Sequence, residues 1–288
     1  MIYLLLSIAS SCVIFVVFKL FARFKINTLQ AIVFNYLTAS TLGLFLSEGG
    51  ITTDVIPQQD WFLGAVALGF LFILIFNLMA ITTQRSGLSV VSVATKMSVV
   101  IPILFGILYY KESLGILKAS GIIIALIAVY LASVKSKNGI PFKKTDLIFP
   151  ALVFLGSGII DVSIKYIEEK YLSTGNLPIF LTTVFGTAGM IGLLIIGSQL
   201  LRKRFTFSTK NILAGICLGV PNYGSMYFLV KALRNDAFES STIFTMNNVG
   251  IVMISTLLGI ALFTEKLQLK NWIGIALAVI SIILVSLS

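Results

Sequence analysis

The amino-acid sequence predicts an all-α membrane protein with ten transmembrane helices, arranged as two inverted five-helix repeats. Three observations lead to this prediction. The chain is 58% hydrophobic and only 11% charged, a composition far from that of soluble domains. Its apolar runs approach the roughly 20 residues that a helix needs to cross a bilayer. A stretch of the first half also recurs in the second half.

Ten apolar runs can be counted, and the short polar segments between them leave no room for a soluble domain. By residue number the runs are 2–21, 28–47, 60–82, 88–109, 117–134, 147–168, 178–200, 211–233, 241–263 and 270–287. We expect a first repeat at residues 1–137 and a second at 147–288. The segment between them, 138–146, is basic and contains Gly139 and Pro141, which is typical of a linker.

The two halves are related by a repeat that begins in the fourth run of each. Residues 98–134 align without gaps on residues 251–287, and 13 of the 37 positions are identical. Four matches are of a kind that apolar composition does not readily supply. They are Gly106/Gly259, Glu112/Glu265, Leu114/Leu267 and Gly121/Gly274. The offset of 153 residues contains five spans, an odd number, so the second half must cross the membrane in the opposite sense.

The positively charged residues predict how the chain is inserted. Loops on the side that carries both termini hold six Lys and Arg, and the opposite loops hold thirteen. The positive-inside rule places the thirteen in the cytoplasm, so both termini are expected outside the cytoplasmic (inner) membrane. These loop residues account for the net charge of +10, and no nucleic-acid partner is expected.

The fourth and fifth runs and their counterparts resemble a known family. The run IPILFGILYYKESL (101–114) is followed by GIIIALIAVYL (121–131), and LLGIALFTEKL (257–267) is followed by GIALAVISIIL (274–284). An acidic residue just after spans four and nine, and then a Gly-led apolar span, is similar to the ten-span EamA-like group of the drug/metabolite transporter superfamily. The resemblance implies export or exchange of small metabolites.

Lys96 is the main candidate for a functional residue. It lies roughly eight residues into span four, or about 12 Å, which is close to the middle of a hydrocarbon core of about 30 Å. An ionisable group at that depth either faces a polar cavity, where it can hold an anionic group of a substrate, or pairs with a carboxylate. Asp161 has two interpretations: an ion pair with Lys165 one turn later, or a partner for Lys96 when no substrate is bound.

Neutral polar side chains inside the spans would complete a cavity around Lys96. These side chains are Asn35, Tyr36, Asn77, Asn222, Tyr223, Asn247 and Asn248. Gly219, Pro221 and Gly224 are expected to interrupt span eight, which is tolerated where backbone faces a cavity. The substrate site is therefore predicted between spans three, four, eight and nine.

Other notable residues are expected to be structural. Glu112 and Glu265 lie at span ends, where each would cap the start of the following helix. Lys19 lies near the end of span one and can extend its ammonium to the interface. Glycines in spans seven and eight are expected to allow close helix–helix contacts. They are Gly186, Gly189, Gly192, Gly215 and Gly219.

The chain contains no histidine, which removes His-based catalysis, His proton relays and His metal sites. No catalytic residue, metal ligand or cofactor is predicted, and the protein is not expected to be an enzyme.

We expect a secondary transporter that moves a small polar metabolite, amino-acid-like or organic-acid-like, by alternating access. A lipid flippase and a membrane scaffold without small-solute transport are the alternatives. Besides the substrate, the expected partners are membrane lipid and, in a homodimer, a second copy of the chain. Spans five and ten are nearly free of polar groups and are expected to face lipid or that second copy.

Overall fold

The structure, a computed structural model, describes residues 2–46, 53–109, 115–133, 147–171, 177–202, 207–233 and 240–287. Every regular element within these ranges is helical. The α-helices are α1 (Ile2–Arg23), α2 (Thr28–Leu46), α3 (Phe62–Ser86), α4 (Leu88–Met97), α5 (Val100–Tyr109), α6 (Ile116–Ser133), α7 (Ile148–Tyr171), α8 (Leu177–Leu201), α9 (Thr209–Leu233), α10 (Ser240–Phe263) and α11 (Leu269–Ser286). A short 3₁₀ helix covers Thr53–Gln58. The predicted linker 138–146 and Glu112 lie outside the described residues.

Six helices in the described part of the chain are long and apolar enough to cross a bilayer: α1, α2, α3, α8, α9 and α10. Shorter apolar helical stretches lie within the remaining predicted spans, at 88–102, 119–128, 148–164 and 269–284. This pattern confirms the all-helical membrane class. The ten-span inverted arrangement stays a prediction.

Span four, which was predicted as one continuous helix over 88–109, is broken into α4 and α5. Pro102 explains the break, because it has no N–H to donate to the carbonyl of Ser98, four residues earlier. The Ser98 carbonyl instead accepts a hydrogen bond from the Ile101 N–H at 2.9 Å, across three residues. One tight turn of this kind ends α4 at Met97 before the helix resumes at Val100.

Span eight is continuous, although the sequence predicted an interruption there. The α9 helix runs from Thr209 to Leu233 with Pro221 inside it. The neighbouring Gly219 packs closely on α2: a Cβ at this position would lie 2.7 Å from the Asn35 carbonyl oxygen and 2.6 Å from the Thr38 Cβ. The glycine therefore serves helix packing, and the prediction of a broken span eight was wrong.

The chain divides into two compact units. Unit 1 comprises Met1–Lys19, Leu78–Ile159 and Gly224–Ser288, and unit 2 comprises Leu20–Asn77 and Ile160–Tyr223. Each unit takes segments from both predicted repeats.

The core of unit 1 is built around α6 and α11. Small residues on both helices, among them Ala125 and Ala278, are fully buried and let the backbones approach closely. The Ser281 hydroxyl of α11 donates to the Gly121 carbonyl of α6 at 2.8 Å. Near the other ends of the helices, the Asn271 amide donates to the Leu131 carbonyl at 3.2 Å. These two bonds show that α6 and α11 are antiparallel.

The core of unit 2 is built around α2 and α8. Gly186, Gly189 and Gly192 form a stripe on α8 that faces α2. A Cβ at any of these positions would lie within 3.1 Å of an α2 side chain; the side chains met are those of Ser40, Leu37 and Val33. The predicted role of these glycines in close helix contacts is confirmed. Gly215 of α9 has the same role, because a Cβ there would press on the Phe34 side chain.

Candidate functional site

Lys96 lies in the last turn of α4, one residue before the helix ends at Met97. Val93, Met97 and Val100 are buried in the apolar core of unit 1, whereas Lys96 is only half-buried. The last carbonyls of a helix carry partial negative charge, so an ammonium group is favourably placed there. The break in span four therefore supplies part of the environment that a lysine needs inside a membrane.

The turn at the break is held by short polar contacts. The Ser98 hydroxyl donates to the Thr95 carbonyl at 2.5 Å, and the Thr95 hydroxyl donates to the Val91 carbonyl at 2.6 Å. Ser98 is fully buried. The Ser98 hydroxyl satisfies one of the carbonyls that the end of α4 leaves without a helical partner, and both bonds hold the residues beside Lys96.

Helices α1 and α10 bring further polar groups to unit 1. The Ser7 hydroxyl lies 3.0 Å from the Ser225 carbonyl and 3.1 Å from the Asn247 amide oxygen. One hydroxyl proton cannot serve both acceptors, and turning the Asn247 amide so that its nitrogen donates to Ser7 satisfies the set. Asn247 is thus buried and bonded to α1, and the neighbouring Asn248 is half-buried.

Cys12 of α1 lies beside α10. Its thiol lies 3.9 Å from the Ile251 carbonyl, one turn after Asn247. Helix α10 also packs against α4 in the core of unit 1. Of the predicted site residues, Lys96, Asn247 and Asn248 therefore lie on two neighbouring helices of unit 1.

Unit 2 holds a second group of predicted site residues. Asn35 of α2 and Asn222 of α9 are both buried, and the Asn222 amide nitrogen lies 3.1 Å from the Asn35 amide oxygen. Tyr36 donates its phenolic hydrogen to the Phe72 carbonyl of α3 at 2.7 Å. These bonds cross between helices, which is the commonest role of polar side chains inside a membrane protein.

Aromatic rings connect the two tyrosines of this group. The Phe185 ring of α8 lies 6.1 Å from the Tyr36 ring and 6.5 Å from the Tyr223 ring, between centroids. Both tyrosines are almost completely buried. Asn77 is half-buried, and its amide donates to the Ile73 carbonyl of its own helix at 2.7 Å.

Asp161 is exposed on α7 and belongs to unit 2, whereas Lys96 belongs to unit 1. The side chain of Lys165, its predicted partner one turn later, lies outside the described residues. Both interpretations of Asp161 therefore stay predictions.

Glu265 lies in a charged cluster that was not predicted from the sequence. Glu265 was expected to cap the next helix, α11. Its carboxylate instead accepts a hydrogen bond from the Leu88 N–H at 2.9 Å, at the start of α4, and lies 3.4 Å from the Lys19 ammonium. The first turn of α11 is closed by Asn271, whose amide oxygen accepts the Gln268 N–H at 2.9 Å.

Lys19 belongs to the same cluster. Its ammonium pairs with Glu265, whose side chain is only 4% exposed. A signal for the cluster was present in the repeat, where Gly259 and Glu265 recur together. A Cβ on Gly259 would lie 2.9 Å from a Glu265 carboxylate oxygen, so the glycine makes room for the acid.

Comparison with known proteins gives a family match for the first part of the chain. Residues 1–134 match the model of the EamA-like transporter family. The recognition predicted from the sequence is thereby confirmed. Members of the EamA-like transporter family are membrane transporters of the drug/metabolite transporter superfamily rather than enzymes, and this chain is a multi-pass integral membrane protein.

Two further similarities cover nearly the whole chain. A protein of Haemophilus influenzae, described as an uncharacterized protein, is 29% identical over 279 residues, which are 94% of this chain and 93% of that protein. A crystal structure of a protein with 13% sequence identity matches with a TM-score of 0.62 and covers 99% of this chain and 97% of the other. The second similarity shows that the two chains share a fold.

Proposed function

We propose that the protein is a secondary transporter that moves a small polar metabolite across the cytoplasmic membrane by alternating access. One observation carries the proposal: Lys96 lies at the end of the half-helix α4, directly before the break in span four. Secondary transporters commonly bind substrates and ions where a helix is discontinuous near the middle of the bilayer. A lysine at such a break is a functional candidate by default.

The charge of Lys96 indicates the chemical class of the substrate. An ammonium group inside a membrane is stabilised by a negatively charged partner, and a carboxylate forms a strong charge-assisted hydrogen bond with it. Amino acids and organic acids carry such a group. Asn247 and Asn248 would orient the rest of the molecule by hydrogen bonding. Asp161, with Lys165, is the proposed coupling or charge partner when the site is empty.

Unit 2 has a polar group of its own. Tyr36, Tyr223 and Asn77 present aromatic and amide groups, and the Asn35–Asn222 pair adds two further amides. Aromatic faces and a few polar groups are the usual lining of a small-molecule site. The role of these residues in substrate binding stays a prediction from the sequence.

Helix lengths and packing support the proposed ten-span inverted repeat. Helices α6 and α11 have 18 residues each and begin at Ile116 and Leu269, which are 153 positions apart, the offset of the sequence repeat. They pack against each other within unit 1, as do α4 and α10, a second pair of counterparts. Contact between counterpart helices is the arrangement expected near a pseudo-two-fold axis.

A thermal-shift screen of the purified protein in detergent, against pooled amino acids, organic acids and other metabolites, tests the proposal. A ligand at about 100 times its Kd adds about 2.7 kcal/mol to the free energy of unfolding, which is readily detected. We expect a carboxylate-bearing ligand whose stabilisation is lost in Lys96→Met and retained in part in Lys96→Arg. Lys270→Ala, which removes an exposed lysine of α11, is the matched control.

The outcomes separate the proposed site from the alternatives. A ligand that stabilises Lys96→Met as much as the unmodified protein would contradict the role of Lys96. Stabilisation by lipids alone would contradict small-solute transport and favour a lipid flippase. Failure of soluble metabolites and lipids alike would favour a membrane scaffold.

A further inference from the structure

Helices α3 and α4 meet at a sharp corner in unit 1. Gly87 joins them with a φ of 104°, a backbone conformation that side chains other than glycine rarely adopt. Gly87 is also the residue before the first turn of α4, and it offers no side chain to the free N–H groups there. The start of α4 therefore needs a hydrogen-bond acceptor from elsewhere in the chain.

Glu265 supplies that acceptor from the segment after α10. One carboxylate oxygen accepts the Leu88 N–H at 2.9 Å, and the other lies 3.3 Å from the Ser89 hydroxyl. The first N–H groups of a helix carry partial positive charge, so a carboxylate at this place is stabilised twice, by hydrogen bonds and by the helix dipole.

Lys19 completes the corner from α1. Its ammonium lies 3.4 Å from Glu265 and 3.3 Å from the Thr83 carbonyl, in the last turn of α3. The C-terminal end of α3 attracts a cation, and the N-terminal end of α4 attracts an anion. The two side chains therefore match the two helix ends as well as each other, and they tie together α1, α3, α4 and the segment after α10.

The backbone around Glu265 aims its side chain at the corner. The Glu265 N–H donates to the Gly259 carbonyl at 3.1 Å, and Thr264 adopts a φ of 49°, which turns the chain back over the end of α10. Gly259 lies directly under the carboxylate. The acid is thus held on both sides and is nearly excluded from solvent, with 4% of its side chain exposed.

We propose that Glu265, paired with Lys19, is a positioning residue that fixes the half-helix α4 and so sets the position from which Lys96 meets the substrate. The inference rests on the proposed function for its last step, the contact between Lys96 and the substrate. Its first step, the hold on α4, is independent of any substrate. Lys96 is eight residues after Leu88, about 12 Å along the same short helix, so a tilt at the start of α4 displaces it.

Charge reversal distinguishes this arrangement from a simple ion pair. In the double variant Lys19→Glu/Glu265→Lys the two charges still attract each other. Each charge then faces the wrong helix end, since a lysine meets the N–H of Leu88 at the start of α4. If only the attraction between the two charges mattered, the reversal would restore the hold on α4. If each charge must also match its helix end, the reversal would not restore it.

Hydrogen exchange of the backbone amides measures the hold on α4 directly. We expect Glu265→Gln to speed exchange of the Leu88 amide about tenfold, equivalent to about 1.4 kcal/mol, with no change in the first turn of α11. The charge-reversed variant should exchange at least as fast, and the neutral pair Lys19→Met/Glu265→Gln serves if a single variant does not fold. Lys266→Gln, at the exposed neighbour, is the matched control.

Ligand binding by the same variants tests the second step. The stabilising ligand found in the thermal-shift screen should bind several-fold more weakly to Glu265→Gln. Unchanged Leu88 exchange, or exchange restored by charge reversal, would overturn the proposal. Faster exchange with unaltered ligand affinity would overturn the link to Lys96. If Lys96→Met itself leaves ligand binding intact, the proposed function fails, and the exchange result still decides whether Glu265 holds α4.

Discussion

At the scale of single residues, the polar groups inside this protein find partners far away in the sequence. Asn35 pairs with Asn222, and Glu265 caps the helix that begins at Leu88. A polar group left without a partner in a dry interior costs free energy, so these pairs constrain which helices can be neighbours. Each pair can be broken by a single substitution.

The Asn35–Asn222 pair should behave as a coupled pair in a double-mutant cycle. We expect Asn35→Ala and Asn222→Ala each to lower the free energy of unfolding in detergent, with a coupling energy of about 0.5–1.5 kcal/mol. Unfolding of the two single variants and the double variant measures this energy. Additive effects of the two substitutions would show that the amides do not interact.

Gly259 should be intolerant of a methyl group. Gly259→Ala places a Cβ 2.9 Å from one Glu265 oxygen, so the carboxylate must shift, and we expect the shift to weaken the bond that its other oxygen accepts from the Leu88 N–H. Loss of a helix cap lowers the free energy of unfolding by about 1–2 kcal/mol, and we expect a change of that size in thermal or denaturant unfolding.

Gly197→Ala is the control for Gly259→Ala. Within 4 Å of a Cβ at Gly197 of α8 there is no heavy atom to displace, and alanine favours helices by up to about 1 kcal/mol. We expect the free energy of unfolding of Gly197→Ala to be equal to or higher than that of the unmodified protein. Equal losses in both variants would contradict the account of Gly259.

At this scale the sequence predicts residues with a strong local signal. A lysine far inside an apolar run and a stripe of glycines on α8 are both visible without a structure. The partner of Glu265 is not, because Leu88 is 177 positions away and contributes only a backbone N–H. Backbone groups are the same at every position, so no sequence pattern reveals which of them a carboxylate meets.

At the scale of helices, two prolines have opposite consequences. Pro102 lies in the first turn of α5, just after the break between α4 and α5, whereas α9 continues through Pro221. A proline removes one hydrogen bond in either case. The two prolines differ in their surroundings. Near Pro102, the Ser98 carbonyl accepts a hydrogen bond from the Ile101 N–H instead. Near Pro221, Gly219 packs tightly on α2 and the helix stays continuous. Both prolines are visible in the sequence, but the difference in their surroundings is not.

Pro102→Ala should change the site, because alanine restores an N–H that can bond the Ser98 carbonyl and join α4 to α5. We expect the stabilising ligand to bind at least about tenfold more weakly, equivalent to about 1.4 kcal/mol, since Lys96 lies beside the break. Calorimetry or thermal shift at several ligand concentrations measures the affinity.

Pro221→Ala is the matched control for Pro102→Ala. It returns one hydrogen bond to a helix that is already continuous, so we expect an affinity close to that of the unmodified protein. If Pro102→Ala binds the ligand equally well, the break does not shape the site.

At the scale of the whole molecule, composition and the repeat predict the class, because long apolar segments leave a membrane as their only stable solvent. The comparison of residues 1–134 with the EamA-like transporter family confirms the recognition. The composition of the two compact units was not predictable. Each gathers segments from separate parts of the chain, which depends on side-chain packing that periodicity does not encode.

The excess of basic residues in one set of loops predicts that both termini lie outside the cytoplasm. A green fluorescent protein fused to the C-terminus should therefore stay dark, and alkaline phosphatase at the same place should be active. A fluorescent fusion with an inactive phosphatase fusion would contradict the predicted orientation and would place the C-terminus in the cytoplasm.

Solute flux through the purified protein tests the central claim most directly. Proteoliposomes containing the protein would be loaded with the ligand from the thermal-shift screen, and uptake of the same labelled ligand from outside would be followed. We predict saturable uptake that is lost in Lys96→Met and retained in Lys270→Ala. Binding of the ligand without any uptake, in vesicles that contain folded protein, would contradict transport and leave a binding protein in the membrane.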